Sequence, residues 1–216
     1  MKPGSPEGFP PGYPGSADGG MNERPAGLFG DMSIELGKVG IWRHPSGLTP
    51  EVVADVEALG YGTIWVGGSP PGDLAFVEHL LDTTRHIAVA TGIVNVWKDD
   101  AATVGASYHR VTARHPGRFL LGLGIGHPEA TDEYQQPYAA LVSYLDRLDD
   151  LKVPVEGRVL AALGPRVLRL SAERAAGADH VATQVLNPDP LPALRALAGQ
   201  LQLTPADDGI RTSPSA

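Results

Sequence analysis

Cysteine is absent from this 216-residue chain. Disulfides, thiolate-bound zinc and thiol nucleophiles are therefore excluded. Positive charge is scarce: 17 Lys and Arg stand against 25 Asp and Glu, a formal charge of -8. A nucleic-acid groove needs a basic stripe, so no nucleic-acid partner is expected. No apolar run approaches the ~20 residues of a membrane-spanning helix, so no membrane partner is expected either. The N-terminus is polar and rich in Pro and Gly, unlike a secretory signal, and a cytoplasmic location is the expectation. Neither a convincing metal triad nor a G-x-S-x-G nucleophile elbow is found, and no metal is expected.

What is present is a 42% hydrophobic composition, enough for a core. It is distributed unevenly. Residues 1–31 are mostly Gly, Pro, Ser and charge, a composition that cannot offset its ordering entropy, and they read as a disordered extension. Residues 32–204 read as one α/β domain, and 205–216 as a flexible C-terminal tail. Within the domain, short β-rich runs alternate with amphipathic stretches. Strands are expected at Lys38–Trp42, Thr63–Val66, Ile87–Ile93, Phe119–Leu123, Val159–Leu163 and His180–Leu186. Helices are expected after each, capped by Thr49 before Pro50 in the first, by Asp73 in the second, and by Asp99 or Asp100 in the third. Ile87–Ile93 is apolar at nearly every position, as in a strand covered on both faces. Such alternation specifies parallel strands joined by right-handed crossovers, either a closed barrel or an open doubly wound sheet. In both, ligands sit beyond the carboxyl ends of the strands.

Those ends hold Trp42, Arg43 and His44 after the first strand, and Gly67, Gly68 and Ser69 after the second. Asn95-Val96-Trp97-Lys98 follows the third, Gly124-Ile125-Gly126-His127-Pro128-Glu129 the fourth, and Gly164-Pro165-Arg166 the fifth. Glycine admits a ring or phosphate close to the backbone, and Trp42 and Trp97 offer apolar faces. Each feature also has a plain structural reading. The alternation Gly122, Gly124, Gly126 could only relieve crowding in the sheet, and it is not the G-x-G-x-x-G fingerprint, because its third glycine comes one residue early. His127 and His44 could be ordinary loop histidines, the tryptophans core or lid residues, and Glu129, Asp132 and Glu133 a solvated helix approach.

Three stretches taken together go further. Ala90-Thr91-Gly92-Ile93-Val94-Asn95, His115-Pro116-Gly117-Arg118-Phe119-Leu120-Leu121-Gly122-Leu123-Gly124 and Val159-Leu160-Ala161-Ala162-Leu163-Gly164-Pro165 closely resemble the luciferase-like monooxygenase superfamily. Within it the chain is similar to an actinobacterial branch of coenzyme F420-dependent oxidoreductases, over about Met32 to Ala176. The resemblance implies a (β/α)8 TIM barrel holding a deazaflavin or FMN at the carboxyl ends of its strands. By position, Gly92, Ile93 and Val94 match a third-strand bulge under the ring system, and Asn95 is a candidate polar contact. Gly122, Gly124 and Gly126 match the fourth-strand end, and Gly164 and Pro165 a turn near the cofactor tail. Trp42, by its apolar face rather than by a family match, is a further candidate cofactor contact. His127 is the candidate proton donor or acceptor beside the ring.

The chain departs from the family in length. A (β/α)8 barrel takes ~250 residues, with ~200 a lower bound. Only about six βα units can be counted here, and a joint near Ala175–Asp179 brings a fifth helix directly to a strand resembling the family's last. Six strands cannot keep the shear and tilt of eight, so an open or shortened barrel is expected, with the last strand beside the first or the fifth. The functional expectation is an F420-dependent oxidoreductase transferring hydride to or from a small organic substrate. The alternatives are an FMN-dependent monooxygenase and a truncated, non-catalytic flavin- or deazaflavin-binding protein. A homodimer is possible on the same resemblance.

Overall fold

The computed structural model describes residues 34–126, 136–162, 165–175, 181–184 and 189–203. The boundaries expected for the 1–31 extension and the 205–216 tail lie outside those residues. The elements run β1 Val39–Arg43, α1 Pro50–Ala58, β2 Thr63–Gly67, α2 Ala75–Thr83, β3 Ala88–Gly92, β4 Val94–Asn95, α3 Ala101–Arg114, β5 Phe119–Gly124, α4 Pro137–Asp150, β6 Arg158–Leu160, α5 Pro165–Arg174, β7 Val181–Gln184 and α6 Leu191–Leu201. Among the described residues, no helix is long and apolar enough to cross a membrane.

Every ladder is parallel, and the strands line up as β7-β1-β2-β3, with β3 and β4 both on β5 and β6 beyond it. β3 and β4 are two halves of one interrupted strand, so the seven segments make six strand-helix units. The last strand lies beside the first, with Val39 opposite Val181. Among the described residues no ladder joins β6 to β7. The architecture is thus an α/β barrel-type sheet left open, as expected from a (β/α)8 fold short of two units.

Local chemistry explains the helix starts. Thr49 Oγ1 accepts from the Val52 amide, with Pro50 at the first helical position. Asp100 Oδ1 accepts from the amides of Ala102 and Thr103. α2 differs from expectation: Asp73 Oδ1 accepts from the Ala75 amide, but the cap position itself is held by Leu74, left-handed and buried.

Strand alternation gives the sheet two dissimilar faces. Ile41, Ile64, Val66, Val89, Leu121 and Leu123 point outward and join Val53, Val56, Val77, Leu80, Leu145 and Leu148 of the helices in one buried cluster. Each such side chain, fully buried, contributes roughly 1.5–3 kcal/mol. The intervening residues point the other way. Ala88, Ala90 and Leu120 are buried there without joining that cluster.

One charged residue breaks the outer pattern. Arg158 of β6 is 1% exposed. Its Nη2 donates to Asp149 and to the Val153 carbonyl, and its Nη1 to the Leu145 carbonyl. Asp149 also accepts from Arg174 of α5. Partial burial pushes the Asp149 carboxyl up, but the hydrogen bond and charge of Arg158, with the charge of Arg174, outweigh it and hold it below the ordinary range. β6 is therefore tied to α4 and α5 by ions, and among the described residues β5 is the strand paired with it.

Candidate functional site

The third strand is not the unbroken run Ile87–Ile93 that its apolar pattern suggests. Ala90 pairs with Leu120, but Val94 pairs with Leu123. Thr91, Gly92 and Ile93 thus face only Leu121 and Gly122, one residue in excess. This is a β-bulge, and the Gly92–Ile93 peptide bond within it is cis. A one-residue slip exchanges the faces of everything that follows. Without it Asn95 would point outward with Val89 and Thr91. With it, Val94 joins the outer cluster, and Asn95 stands opposite Gly124 on the inner face.

The bulge is seated on Gly122. A Cβ there would lie 1.8 Å from the Thr91 carbonyl oxygen, so only glycine fits. The Gly122 amide and carbonyl are instead both served by one side chain: the amide donates to Thr91 Oγ1 at 2.8 Å, and that hydroxyl donates to the carbonyl at 2.8 Å. All are buried, and leaving such a backbone group unpaired costs about 1–3 kcal/mol.

Around the bulge, the carboxyl ends of the strands form a shelf. The Trp42 indole donates to the Gly92 carbonyl at 3.2 Å and is packed against Gly67 and Gly92. Trp65 is its cross-strand neighbour. Ile93 covers the inner surface of Gly124, next to Ala161. Asn95 stands at the edge of this apolar surface and is 2% exposed. Its Oδ1 accepts from the Trp97 amide at 3.0 Å, which fixes the orientation of the carboxamide, since an amide N–H can only donate. Nδ2 is thereby turned toward Gly126, where a Cβ would come within 2.7 Å of it. Among the described residues no acceptor is bonded to Nδ2. Trp97 Nε1 donates to the Ile125 carbonyl and the Val96 amide to the Gly124 carbonyl, so the two loops are stitched together.

Trp42, Gly92, Ile93, Asn95 and Gly124 are thus brought to one face and one end of the sheet, with Gly126 against Asn95. Val94 is buried in the helix-facing core. Gly122 lies under the bulge. Pro165 opens α5. His127 and Gly164 lie outside the described residues, as do Glu129, Asp132 and Glu133. His44 stands at the same rim: its ring rests on Gly68, and its Nδ1 is 2.9 Å from Ser46 Oγ. Thr91 and Ala161 were not singled out from the sequence. Their parts depend on which strand lies opposite, which spacing along one strand does not reveal.

Two other features lie apart from the shelf. An open depression of about 410 Å³ between α3 and α4, lined by Asp100, Tyr144 and Arg147 among others, is on the helix side. Among the described residues no three His, Asp or Glu side chains converge as a metal site would.

No family model and no curated protein matches the chain. Solved structures do. An F420-dependent secondary alcohol dehydrogenase, solved in complex with an F420-acetone adduct, superposes with a TM-score of 0.53 at 13% identity, over 77% of this chain and 65% of that one. Monooxygenase RslO1 from Streptomyces bottropensis gives 0.50 at 13% identity, over 80% and 68%. At this identity the likeness is one of fold. Apo-MsnO8 gives 0.48 at 17% identity, over 81% and 64%. The chain spans just under two thirds of the length of the dehydrogenase.

Proposed function

We propose that the inner-face shelf binds the ring of coenzyme F420 and that the chain is an F420-dependent oxidoreductase acting on a small organic substrate. The observation that carries this is the register slip. It places Asn95, whose Nδ2 has no bonded acceptor among the described residues, on the same face as Trp42, Ile93 and Gly124. A planar heterocycle has apolar faces and a polar edge. The shelf offers it the matching set: a flat glycine-lined surface, an aliphatic side chain and one amide N–H at the margin. F420, when bound, would supply the carbon that gives or takes hydride.

The residues of the chain do the rest. Ile93 and the glycine backbone support one ring face. Asn95 Nδ2 fixes the edge and so the rotation of the ring within its plane. Trp42 closes the side toward β1 and excludes water. A histidine is the side chain suited to move a proton near neutral pH. His127 follows the fourth strand and is proposed for that step, with His44 the second candidate at the rim.

A second reading follows from the open sheet. Among the described residues no strand stands between β6 and β7, and a substrate wall short of such strands favours a protein that holds the ring without turnover. The two readings share one experiment. All three tryptophans of the chain, Trp42, Trp65 and Trp97, lie on the inner face or its loop, so their fluorescence reports on this site. Titration with oxidised F420 is expected to quench it saturably at micromolar concentration. FMN binding without F420 binding contradicts the F420 assignment and favours the monooxygenase reading. F420 binding with no F420 reduction across a panel of small alcohols marks the non-catalytic binder.

A further inference from the structure

We infer that Thr91 is a positioning residue: its hydroxyl replaces the missing ladder between the third and fourth strands and thereby holds Asn95 on the inner face. The inference rests on the ring-binding reading for its functional consequence, but not for its geometry.

A bulge of one residue leaves the partner strand with a backbone amide and carbonyl that have lost their opposite numbers. Here both belong to Gly122. Parallel pairing holds on each side, at Ala90 opposite Leu120 and at Val94 opposite Leu123. Between them, Thr91 Oγ1 takes the Gly122 amide proton and gives its own proton to the Gly122 carbonyl, each at 2.8 Å. A hydroxyl is the smallest group that can accept and donate at once. Thr91 is fully buried, so no water substitutes for it. The Thr91 carbonyl is meanwhile turned across the α-carbon of Gly122, where no Cβ could stand.

The alternative for this segment is straight pairing, in which the third strand runs on in register and Asn95 faces the helices. That state recovers two main-chain hydrogen bonds and loses the inner-face amide. The hydroxyl removes its advantage by satisfying Gly122 in the bulged state. Thr91 itself touches neither the shelf nor Nδ2 of Asn95. Its influence on a bound ring passes through the register.

The test uses the full-length chain with T91V, which keeps the volume and removes the hydroxyl, T91S, which keeps the hydroxyl, N95A, and the double variant T91V/N95A. T91V is expected to weaken binding of oxidised F420 by roughly tenfold or more, and T91S to stay within about twofold of wild type. In the N95A background T91V should add less than about twofold, because the residue it positions is gone. Wild-type affinity in T91V, or effects of T91V and N95A that multiply, would overturn the assignment. Amide exchange on ligand-free protein separates this from the cofactor reading. If the wild type binds neither F420 nor FMN, the cofactor reading fails, and the exchange data alone decide on Thr91. Protected Gly122 and Trp97 amides in wild type and T91S, exchanging at least tenfold faster in T91V, support it, whereas unchanged rates refute it. If T91V does not fold, the wild-type spectrum still decides: a Gly122 amide protected like that of Leu120 supports the hydroxyl partner, and one exchanging at loop rates rules it out.

Discussion

The helix-facing side of the sheet is built from Ile, Val, Leu and Phe, while the same strands turn Gly40, Thr63, Ala88, Ala90 and Gly92 to the other side, roofed by Trp42 and Trp65. The outer face gains its stability from many interchangeable contacts. The inner face has few side chains, and most are fitted to one neighbour. Small residues allow two indoles and a bulge to occupy a space that would otherwise need branched side chains. If the inner face binds the ring as proposed, stability and recognition fall on opposite faces of one sheet, and substitutions should separate them.

The largest effect is expected at Gly122. G122A drives a methyl into the Thr91 carbonyl from 1.8 Å, and neither strand can move without losing its ladder. A loss of more than about 4 kcal/mol in a urea titration is predicted, in the range reserved for named structural conflicts. Next comes the outer face. L145A empties a fully buried site in the helix-facing cluster and should cost about 2–5 kcal/mol. The folded fraction should keep its F420 affinity. A parallel loss of affinity would break the distinction between the faces.

The smallest effect lies at the β6 end, where ions tie the strand to α4 and α5. Asp149 is held below the ordinary carboxylate range by Arg158 and Arg174. A carboxyl lowered on folding stabilises above its unfolded value and loses that contribution as pH falls through the folded one. The side chain is 44% exposed, so solvent screening limits the contribution to about 1 kcal/mol or less. D149N should therefore lower the urea midpoint slightly at pH 7, and the gap should close below about pH 4. A gap that widens in acid would contradict the pairing.

Much of this fold was legible in the sequence, and the exceptions share a cause. Of the two aspartates expected to cap the third helix, Asp100 does so for α3, and α6 follows the last strand, where a helix was expected. Both depend on near neighbours along the chain. The break in the third strand depends on β5, so an apolar run from Ile87 to Ile93 could not announce it. Arg158 was missed as a strand residue for a similar reason. A lone arginine reads as surface, and only Asp149 and two carbonyls across space make its burial affordable. At the site, the strand ends were found from topology alone, whereas the side to which Asn95 points required the register.

If the register slip builds a ring-binding edge at Asn95, oxidised F420 binds there. A crystal structure of the chain soaked with oxidised F420 tests it most directly. Ring density is expected on Ile93 and Gly124, with a polar edge atom within hydrogen-bond distance of Asn95 Nδ2. Density at another face of the sheet, or a ring on the shelf with Asn95 turned to the helices, would contradict it.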